Sequence, residues 1–285
     1  MSGRARLALV TGASTGFGKG LVAALLERGW AVAATMRGAE SRRDLFAAEA
    51  AAHAGRLHLL SLDVADAAQR AAAAAWVEAA GGRLDLLVNN AGYGLFGALE
   101  DLSEEQLRRQ FEVNFFGATL LTRALLPSLR AARGKVLNLS SVLGFTAFPL
   151  ASAYCASKFA LEGLSESLAY ELAPHGVQVC AVQPGRFATR FTDNSAWGER
   201  SMAPDSPYRR ETDGYARLRE RLTGGSAPPQ AAVVEALARL AEARRIPRRL
   251  RLGRDAAALG LVEALLPDEW ARRLLGFVYD RALMR

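Results

Sequence analysis

The tightest constraint on this fold lies at the start of the chain. Leu7-Ala-Leu-Val10 reads as a short buried strand, and it runs straight into Thr11-Gly12-Ala-Ser14-Thr15-Gly16-Phe17-Gly18 and then an amphipathic stretch to about Arg28. A strand, a glycine-rich turn and a helix N-terminus leave unpaired backbone N–H groups and the positive end of a helix dipole aimed at one point, which is a ready anion site. The spacing is Gly-x-x-x-Gly-x-Gly rather than Gly-x-Gly-x-x-Gly. Its place at a first strand–helix junction is where doubly wound sheets hold a pyrophosphate. Gly12, Ser14, Thr15, Gly16, Phe17 and Gly18 are therefore candidate cofactor contacts.

Short apolar runs alternating with helical patterns continue along the chain and predict an α/β fold, a doubly wound parallel sheet with helices on both faces. Ala31 to Arg37 is the second strand, followed by a helix from about Arg42 to His53 and a third strand from Leu57 to Leu62. In such a sheet the end of the second strand meets the adenosine ribose, where an acid suits a 2′-hydroxyl and an arginine a 2′-phosphate. Here Met36 stands at the acid position and Arg37 follows, so a phosphorylated ribose is expected, with Ser14 as a second donor. Asp63-Val64 ends the third strand; Asp63 either accepts from an adenine amino group or caps the next helix, Ala67 to Ala80. Leu84 to Val88 is the fourth strand, ending in Asn89-Asn90-Ala91-Gly92. Small residues there let a backbone pass close to a ligand, and the asparagines tie the turn to neighbouring strands. Ser103-Glu-Glu-Gln106 is a capping box, and a long helical pattern runs from about Phe111 to Leu129 with Asn114 inside it.

The chemistry concentrates in one later stretch. Tyr154 and Lys158 are four apart, so a helix starting near Ala151 puts both on one face. A tyrosine has a pKa of about 10, and an adjacent ammonium favours the phenolate, moving the group toward the range of efficient proton transfer. Ser141 falls where the strand Lys135 to Ser140 runs out, and its hydroxyl is placed to bond an oxygen near the Tyr154 hydroxyl. Ser140 points the other way by strand alternation. The chain has three lysines, Lys19, Lys135 and Lys158, against 33 arginines. A lysine kept here implies that a compact ammonium is needed where a planar guanidinium would not serve. Asn114 is a candidate for holding a water against Lys158.

Beyond the strand Val177 to Gln183 come Pro184-Gly185 and Thr189. The segment 187–227 is polar, rich in turn residues and interleaved with Phe191, Trp197, Met202, Tyr208 and Tyr215, and it reads as a substrate lid. Helix Pro229 to Ala243, strand Arg249 to Leu252 and a helical tail, 256–285, broken at Pro267, complete one domain, 1–285. Hydrophobic residues make up 51% of the chain, ample for its core. The two cysteines cannot build a disulfide framework or a metal cluster, so a reducing, cytoplasmic compartment is expected and no metal. No signal peptide and no membrane-spanning run is visible. The net charge of +7 comes from scattered arginines without the interleaved aromatics of a base-stacking surface, which argues against nucleic acid as a partner.

Taken jointly, Thr11-Gly-x-x-x-Gly16-x-Gly18, Asp63-Val64, Asn89-Asn90-Ala91-Gly92, Asn114, Ser141, Tyr154-x-x-x-Lys158 and Pro184-Gly185 resemble the short-chain dehydrogenase/reductase family over about residues 7 to 190. Within it, Tyr154 to Leu168 and Thr35-Met36-Arg37 are most like the 17β-hydroxysteroid and retinol dehydrogenase branch. The resemblance implies a Rossmann-like fold and an NADP(H)-dependent oxidoreductase that interconverts a bulky apolar ketone and a secondary alcohol. It also implies a catalytic tetrad of Asn114, Ser141, Tyr154 and Lys158. Cofactor contacts extend to Arg37, Asp63, Val64, Asn90, Ala91, Gly92, Tyr154, Lys158, Pro184, Gly185 and Thr189, and a homodimer or homotetramer is expected. A 3-oxoacyl-thioester reductase and a non-catalytic cofactor sensor on the same fold are the alternatives.

Overall fold

The computed structural model describes residues 5–283 apart from Arg190, Thr192 and 224–227. Seven parallel strands form one sheet in the order β3-β2-β1-β4-β6-β7-β9: β1 Leu7–Val10, β2 Ala31–Met36, β3 Leu57–Ser61, β4 Leu86–Asn89, β6 Lys135–Leu139, β7 Gln178–Pro184 and β9 Arg249–Leu252. Because successive side chains of a strand point to opposite faces, β1 feeds two cores at once. Ala8 and Val10 pack with α1 (Gly16–Glu27) and α8 (Ala231–Glu242), where Leu21, Leu25, Val233 and Leu237 are fully buried. Leu7 and Leu9 pack on the other face with α3 (Ala67–Ala79), α5 (Ala118–Ala132) and the far end of α6 (Ser152–Leu172), through Val77, Leu121, Leu125 and Leu172. Strands buried on both faces need helices on both, and this is the doubly wound arrangement expected from the sequence.

The order of strands reverses about β1, which has β2 on one side and β4 on the other. A crevice opens outside the carboxyl ends of the strands at such a reversal. The glycine turn, Asn90 to Gly92, Ser141 and Pro184-Gly185 lie on the turns leaving β1, β4, β6 and β7, beside that crevice, while Tyr154 and Lys158 stand on α6 and Asn114 on the turn between α4 and α5. Register fixes their relative heights: Val10 pairs with Val88, Val88 with Leu137, and Leu139 with Val182.

Three expectations are corrected by the backbone. The helix read from Arg42 to His53 is a 3₁₀ stretch, Ala39–Phe46, broken by the non-helical φ/ψ of Arg42, with only α2 (Ala47–Ala52) α-helical. The helix read from Phe111 to Leu129 is α4 (Glu104–Phe111) and α5 joined by a π-helical turn, Glu112–Gly117, with Asn114 at its centre. The segment 187–227 is far from irregular. It contains α7 (Arg209–Thr223) and a short strand, β8 Ala196–Trp197, paired in parallel with β5 Leu95–Phe96. Its residues 224–227 lie outside those described, as do the last two residues of the tail. The tail is α9 (Arg254–Leu265) and α10 (Asp268–Leu283), with the break at Pro267 where proline forbids continuation. Among the described residues no helix is long and apolar enough to cross a membrane.

Candidate active site

The turns after β1 and β4 are locked together by polar atoms. Gly12 sits at φ +64°, and a Cβ there would lie 2.9 Å from the Ala91 Cα, so this crossing admits only glycine. Asn90 donates from Nδ2 to the carbonyls of Thr11 at 2.8 Å and Gly12 at 3.0 Å. In return the Thr11 hydroxyl accepts from the N–H groups of Asn90 and Ala91 and donates to the Val88 carbonyl. Gly18 is held against the same knot, since a Cβ on it would meet Asn90 Nδ2 at 2.5 Å.

The start of α1 keeps the character of an anion site. Thr15 at its N-cap makes no side-chain cap bond and its first turn carries no acid, so its amide N–H groups are left for an outside acceptor. Gly16, at φ +58°, has Thr189 over it, with the Thr189 Cβ 4.0 Å from where a Cβ would stand. Phe17 meets Phe187 edge-on at 6.1 Å. The crevice thus has the glycine turn as one wall and the segment after Pro184-Gly185 as the other. Gly185 is pinned by its N–H to the Leu252 carbonyl at 2.8 Å, with Asp255 so close that no side chain would fit. At the end of β2, Met36 is buried while Arg37 is exposed. A dinucleotide with a charged ribose end fits this donor set.

Asp63 is not a helix cap. Asp66 caps α3, accepting from Gln69 N–H, whereas Asp63 accepts from Ala65 N–H at 2.9 Å and pairs with Arg109 at 3.1 Å. The neighbouring Val64 packs on Gly117 and offers its carbonyl to Arg70 at 2.6 Å.

The second half of the site is a buried polar group under α6. Lys158 is 5% exposed and donates from Nζ to the Leu139 carbonyl at 2.7 Å, where β6 ends. Burial drives its pKa down to about 8, and the neighbouring Glu162 carboxylate opposes that. Its Nζ is 5.8 Å from the Tyr154 ring centre. The Tyr154 phenol is itself fully buried; desolvation pushes its pKa up, and a hydrogen bond with Ser141 works the other way. The expectation that the ammonium dominates the phenol therefore differs from this closed arrangement, in which Phe96 and Phe191 stand 6.0 and 5.7 Å from the Tyr154 ring and exclude water. Ser141 also accepts from Leu143 N–H at 3.1 Å.

Asn114 joins this group through the π turn. Its Nδ2 donates to the Tyr93 carbonyl at 2.9 Å and to Ser157 Oγ at 3.2 Å, and its Oδ1 accepts from Tyr93 N–H at 3.0 Å. A Cβ on Gly92 would touch both Asn114 Oδ1 at 3.1 Å and Lys158 Nζ at 3.7 Å, which puts both side chains against the same side of that glycine. π turns recur at functional sites because they re-aim a residue that a regular helix would point elsewhere. With its amide spent on Tyr93 and Ser157, Asn114 clamps the β4 turn to α6 directly.

Sequence reasoning missed Ser157. It is fully buried, donates to the Tyr154 carbonyl at 2.7 Å and receives Asn114. Nothing separates it in sequence from an ordinary small helical residue. It also missed Arg219, whose guanidinium lies 4.5 Å over Phe96 and 5.2 Å over Trp197, and Tyr279 of α10, whose ring packs at a tilt against Phe148 with centroids 4.4 Å apart. With Tyr215 they complete an aromatic enclosure on the Tyr154 side of the crevice. Among the described residues no His/Cys/Asp/Glu cluster has metal-holding geometry.

The family model described as short chain dehydrogenase matches residues 6–199. A 3-ketodihydrosphingosine reductase of Bacteroides thetaiotaomicron is 42% identical over 190 residues, 66% of each chain. Retinol dehydrogenase 5 of Mus musculus is 34% identical over 288 residues, 95% of this chain and 88% of that one. Among solved structures, a short-chain dehydrogenase from Streptomyces avermitilis superposes with a TM-score of 0.79 at 39% identity, over 96% of this chain and 99% of its own. A short chain dehydrogenase from Burkholderia cenocepacia in complex with NADP gives 0.73 at 28% identity, over 95% and 98%.

One prediction follows from the buried ammonium. Lys158 holds its proton more weakly folded, near 8, than at the ordinary lysine value of 10.5. Between those values the unfolded chain binds more protons, so this group makes stability rise with pH. The unfolding free energy of wild type relative to Lys158→Met should shift in favour of wild type by on the order of 3 kcal/mol across that range. Denaturant titrations at a series of pH values measure it, and a pH-independent difference would contradict the burial of the charge.

Proposed function

The chain belongs to the short-chain dehydrogenase family, and on that premise we propose that it is an NADP(H)-dependent oxidoreductase interconverting a bulky apolar ketone and the matching secondary alcohol. The observation that carries the reading is the buried set of Ser141, Tyr154 and Lys158 beside an anion-binding glycine turn. A bound nicotinamide supplies or accepts the hydride. In the reducing direction Tyr154 gives its hydroxyl proton to the carbonyl oxygen, and Ser141 donates a hydrogen bond to that oxygen as charge develops on it. Lys158, charged, favours the phenolate that Tyr154 becomes and offers N–H donors to a sugar hydroxyl. Asn114 sets the position of Lys158 and of the β4 turn. Gly12, Ser14, Thr15, Gly16, Phe17 and Gly18 hold the pyrophosphate, Asp63, Val64, Asn90, Ala91 and Gly92 the adenosine side, and Pro184, Gly185 and Thr189 the nicotinamide side. Arg37, with Met36 where an acid would favour an unphosphorylated ribose, supports NADP(H), as does the NADP held by the Burkholderia structure.

The enclosure around Tyr154 supports the substrate class. Phe96, Phe148, Phe191, Trp197 and Tyr215 present an apolar wall with few polar groups, as ligand sites do. Since Tyr154 is only 6% exposed, Phe191 and the segment around it move aside to admit substrate, so 187–227 acts as a lid. The likeness to a 3-ketodihydrosphingosine reductase favours a second reading, a long-chain ketone or 3-oxoacyl compound. Two free buried thiols, Cys155 and Cys180, support a reducing, cytoplasmic compartment.

The test is kcat/KM with NADPH over ketones from acetone-sized to multi-ring, with 3-oxoacyl thioesters included. At about 25 cal/mol per Å², a ring adding some 100 Å² of buried apolar area should tighten binding by roughly 2 kcal/mol before ordering costs. Tyr154→Phe should lower turnover about 10²- to 10⁴-fold while leaving cofactor binding in place. A flat or falling size trend sinks the substrate class, and near-normal turnover of Tyr154→Phe sinks the mechanism.

Arg37→Ala should weaken NADPH by about ten- to a hundredfold, the worth of one charge-assisted hydrogen bond, and leave NADH nearly unchanged. Fluorescence titration of both cofactors decides it; equal losses would make Arg37 structural only.

Phe116 on the π turn and Phe159 and Tyr170 on α6 are exposed by 44%, 44% and 55%, and they support self-association through those elements as a homodimer or homotetramer. Light scattering at micromolar concentration should give two or four times the 30.5 kDa chain mass; a monomer would rule it out.

A further inference from the structure

Glu162 lies one turn beyond Lys158 on α6, facing the sheet. It is 6% exposed, and neither carboxylate oxygen has a hydrogen-bond partner. A buried carboxylate left without donors is costly, and a helix facing a parallel sheet would ordinarily place an apolar side chain there. The nearest cation on another element is Arg249 of β9, whose Nε is 3.5 Å from Oε2, close enough for charge but not aligned as a hydrogen bond. Arg249 is half-exposed and spends Nη2 on Glu166 at 2.7 Å. Glu162 therefore faces a cavity of about 260 Å³, walled by Phe145, Phe159, Gln183, Arg249, Arg251 and Glu263, that opens to solvent behind the catalytic helix.

The groups around this carboxylate come from every packed element. From α6 itself come Lys158 and Glu166. The end of β6 brings Ser140, whose Oγ is also buried without a partner and which, with the Glu162 Cγ, crowds the Cβ position of Gly144. From β7 come Cys180 and Gln183. Burial, and after it the Glu162 carboxylate, push the Cys180 thiol up to about 12, so the negative charge reaches the sheet. From β9 come Arg249 and Arg251. Arg251 bonds Gln183 at 3.3 Å and Glu263 at 3.1 Å and stacks on Phe145 at 4.7 Å, so it is occupied elsewhere. Lys158 donates one bond to Leu139, and its remaining surroundings are Gly92, Asn114 and the Tyr154 ring, none of them anionic.

We infer that Glu162 is a positioning residue for proton transfer: its buried carboxylate keeps the Lys158 ammonium charged at neutral pH, with Arg249 at the cavity mouth as the opposing cation. The catalytic consequence rests on the role given to Lys158 above; the coupling itself does not. Loss of the carboxylate removes the buried opposite charge one turn away and leaves burial to discharge the lysine.

Three lysines make the coupling directly readable. With ¹³C-labelled lysine the protein gives three Cε signals to follow with pH, and Lys158→Met identifies the one from Lys158. The isosteric Glu162→Gln should move the Lys158 midpoint down by about one pH unit or more, as expected when a neighbouring opposite charge is removed. Glu162→Asp should leave it close to wild type. The alkaline limb of the pH profile for ketone reduction should shift down with Glu162→Gln. If Glu162 merely anchors β9 to α6, Glu162→Gln lowers the melting temperature without moving the midpoint; that result overturns the proposal. Should Glu162→Gln not fold, Glu162→Leu, which removes the charge and suits a buried helical position, is read in its place with the same downward shift expected. A wild type that reduces no ketone would remove the functional reading while the lysine titration still reports the coupling.

Discussion

The hydrogen bond from Lys158 Nζ to the Leu139 carbonyl, at 2.7 Å, holds the two halves of the site in one place. It closes the carboxyl end of β6, where the ladder stops and the backbone would otherwise need water. It also fixes the rotation of α6 about its axis, because a buried ammonium has few places to put its charge. Tyr154, one turn earlier, is thereby turned toward Ser141, which leaves the same strand end. Ser157, between them, ties α6 to Asn114, and Asn114 ties the β4 turn through Tyr93. Four chain segments distant in sequence are thus referred to one nitrogen.

On the other side of the crevice the reference is backbone rather than charge. The Thr11 hydroxyl and the Asn90 amide satisfy donors and acceptors that two tight turns leave unmade, and Gly12 lets those turns approach. No side chain of this knot is charged, so nothing in it competes with a phosphate for the amides at the start of α1. The neutral half suits the anionic cofactor, and the charged half carries the groups proposed for the proton transfer. Gly92 is where the halves meet, in contact distance of both Asn114 and Lys158.

The parts legible in the sequence were those carried by spacing. Glycines with positive φ, an asparagine pair after an apolar strand and a tyrosine four before a rare lysine each impose a local geometry that survives translation into three dimensions. What was not legible depended on contacts between elements. The π turn at Asn114 comes with bonds from its amide to Tyr93, on another loop, and to Ser157; read alone, 111–129 is one good helix. The 3₁₀ stretch before α2 follows from a kink at Arg42 that composition does not mark. Arg219 and Tyr279 belong to helices whose amphipathic pattern says only that one face is covered, and which face meets Phe96 or Phe148 is set by packing. Nothing in the sequence separates Glu162 from an exposed helical acid, and it is the packing of α6 on the sheet that buries it.

The closed enclosure has a consequence for how the tyrosine works. With Phe96 and Phe191 against it the phenol holds its proton more tightly than in water, so the unliganded form keeps Tyr154 as an acid and resists forming a phenolate that could react elsewhere. In the proposed reaction, substrate entry would displace Phe191 and bring a carbonyl dipole to the hydroxyl beside Ser141. On the proposed reading, the rings that would select an apolar ketone also set the protonation state it meets. An electrostatic contribution from Lys158 matters most in that state, where no water remains to screen it and the charge passes from phenol to phenolate. The lysine must be protonated at that moment although its burial disfavours it, and the opposing charge that makes this possible has to come from inside the protein. The buried carboxylate proposed to supply it is Glu162, one turn further along α6 and facing the sheet.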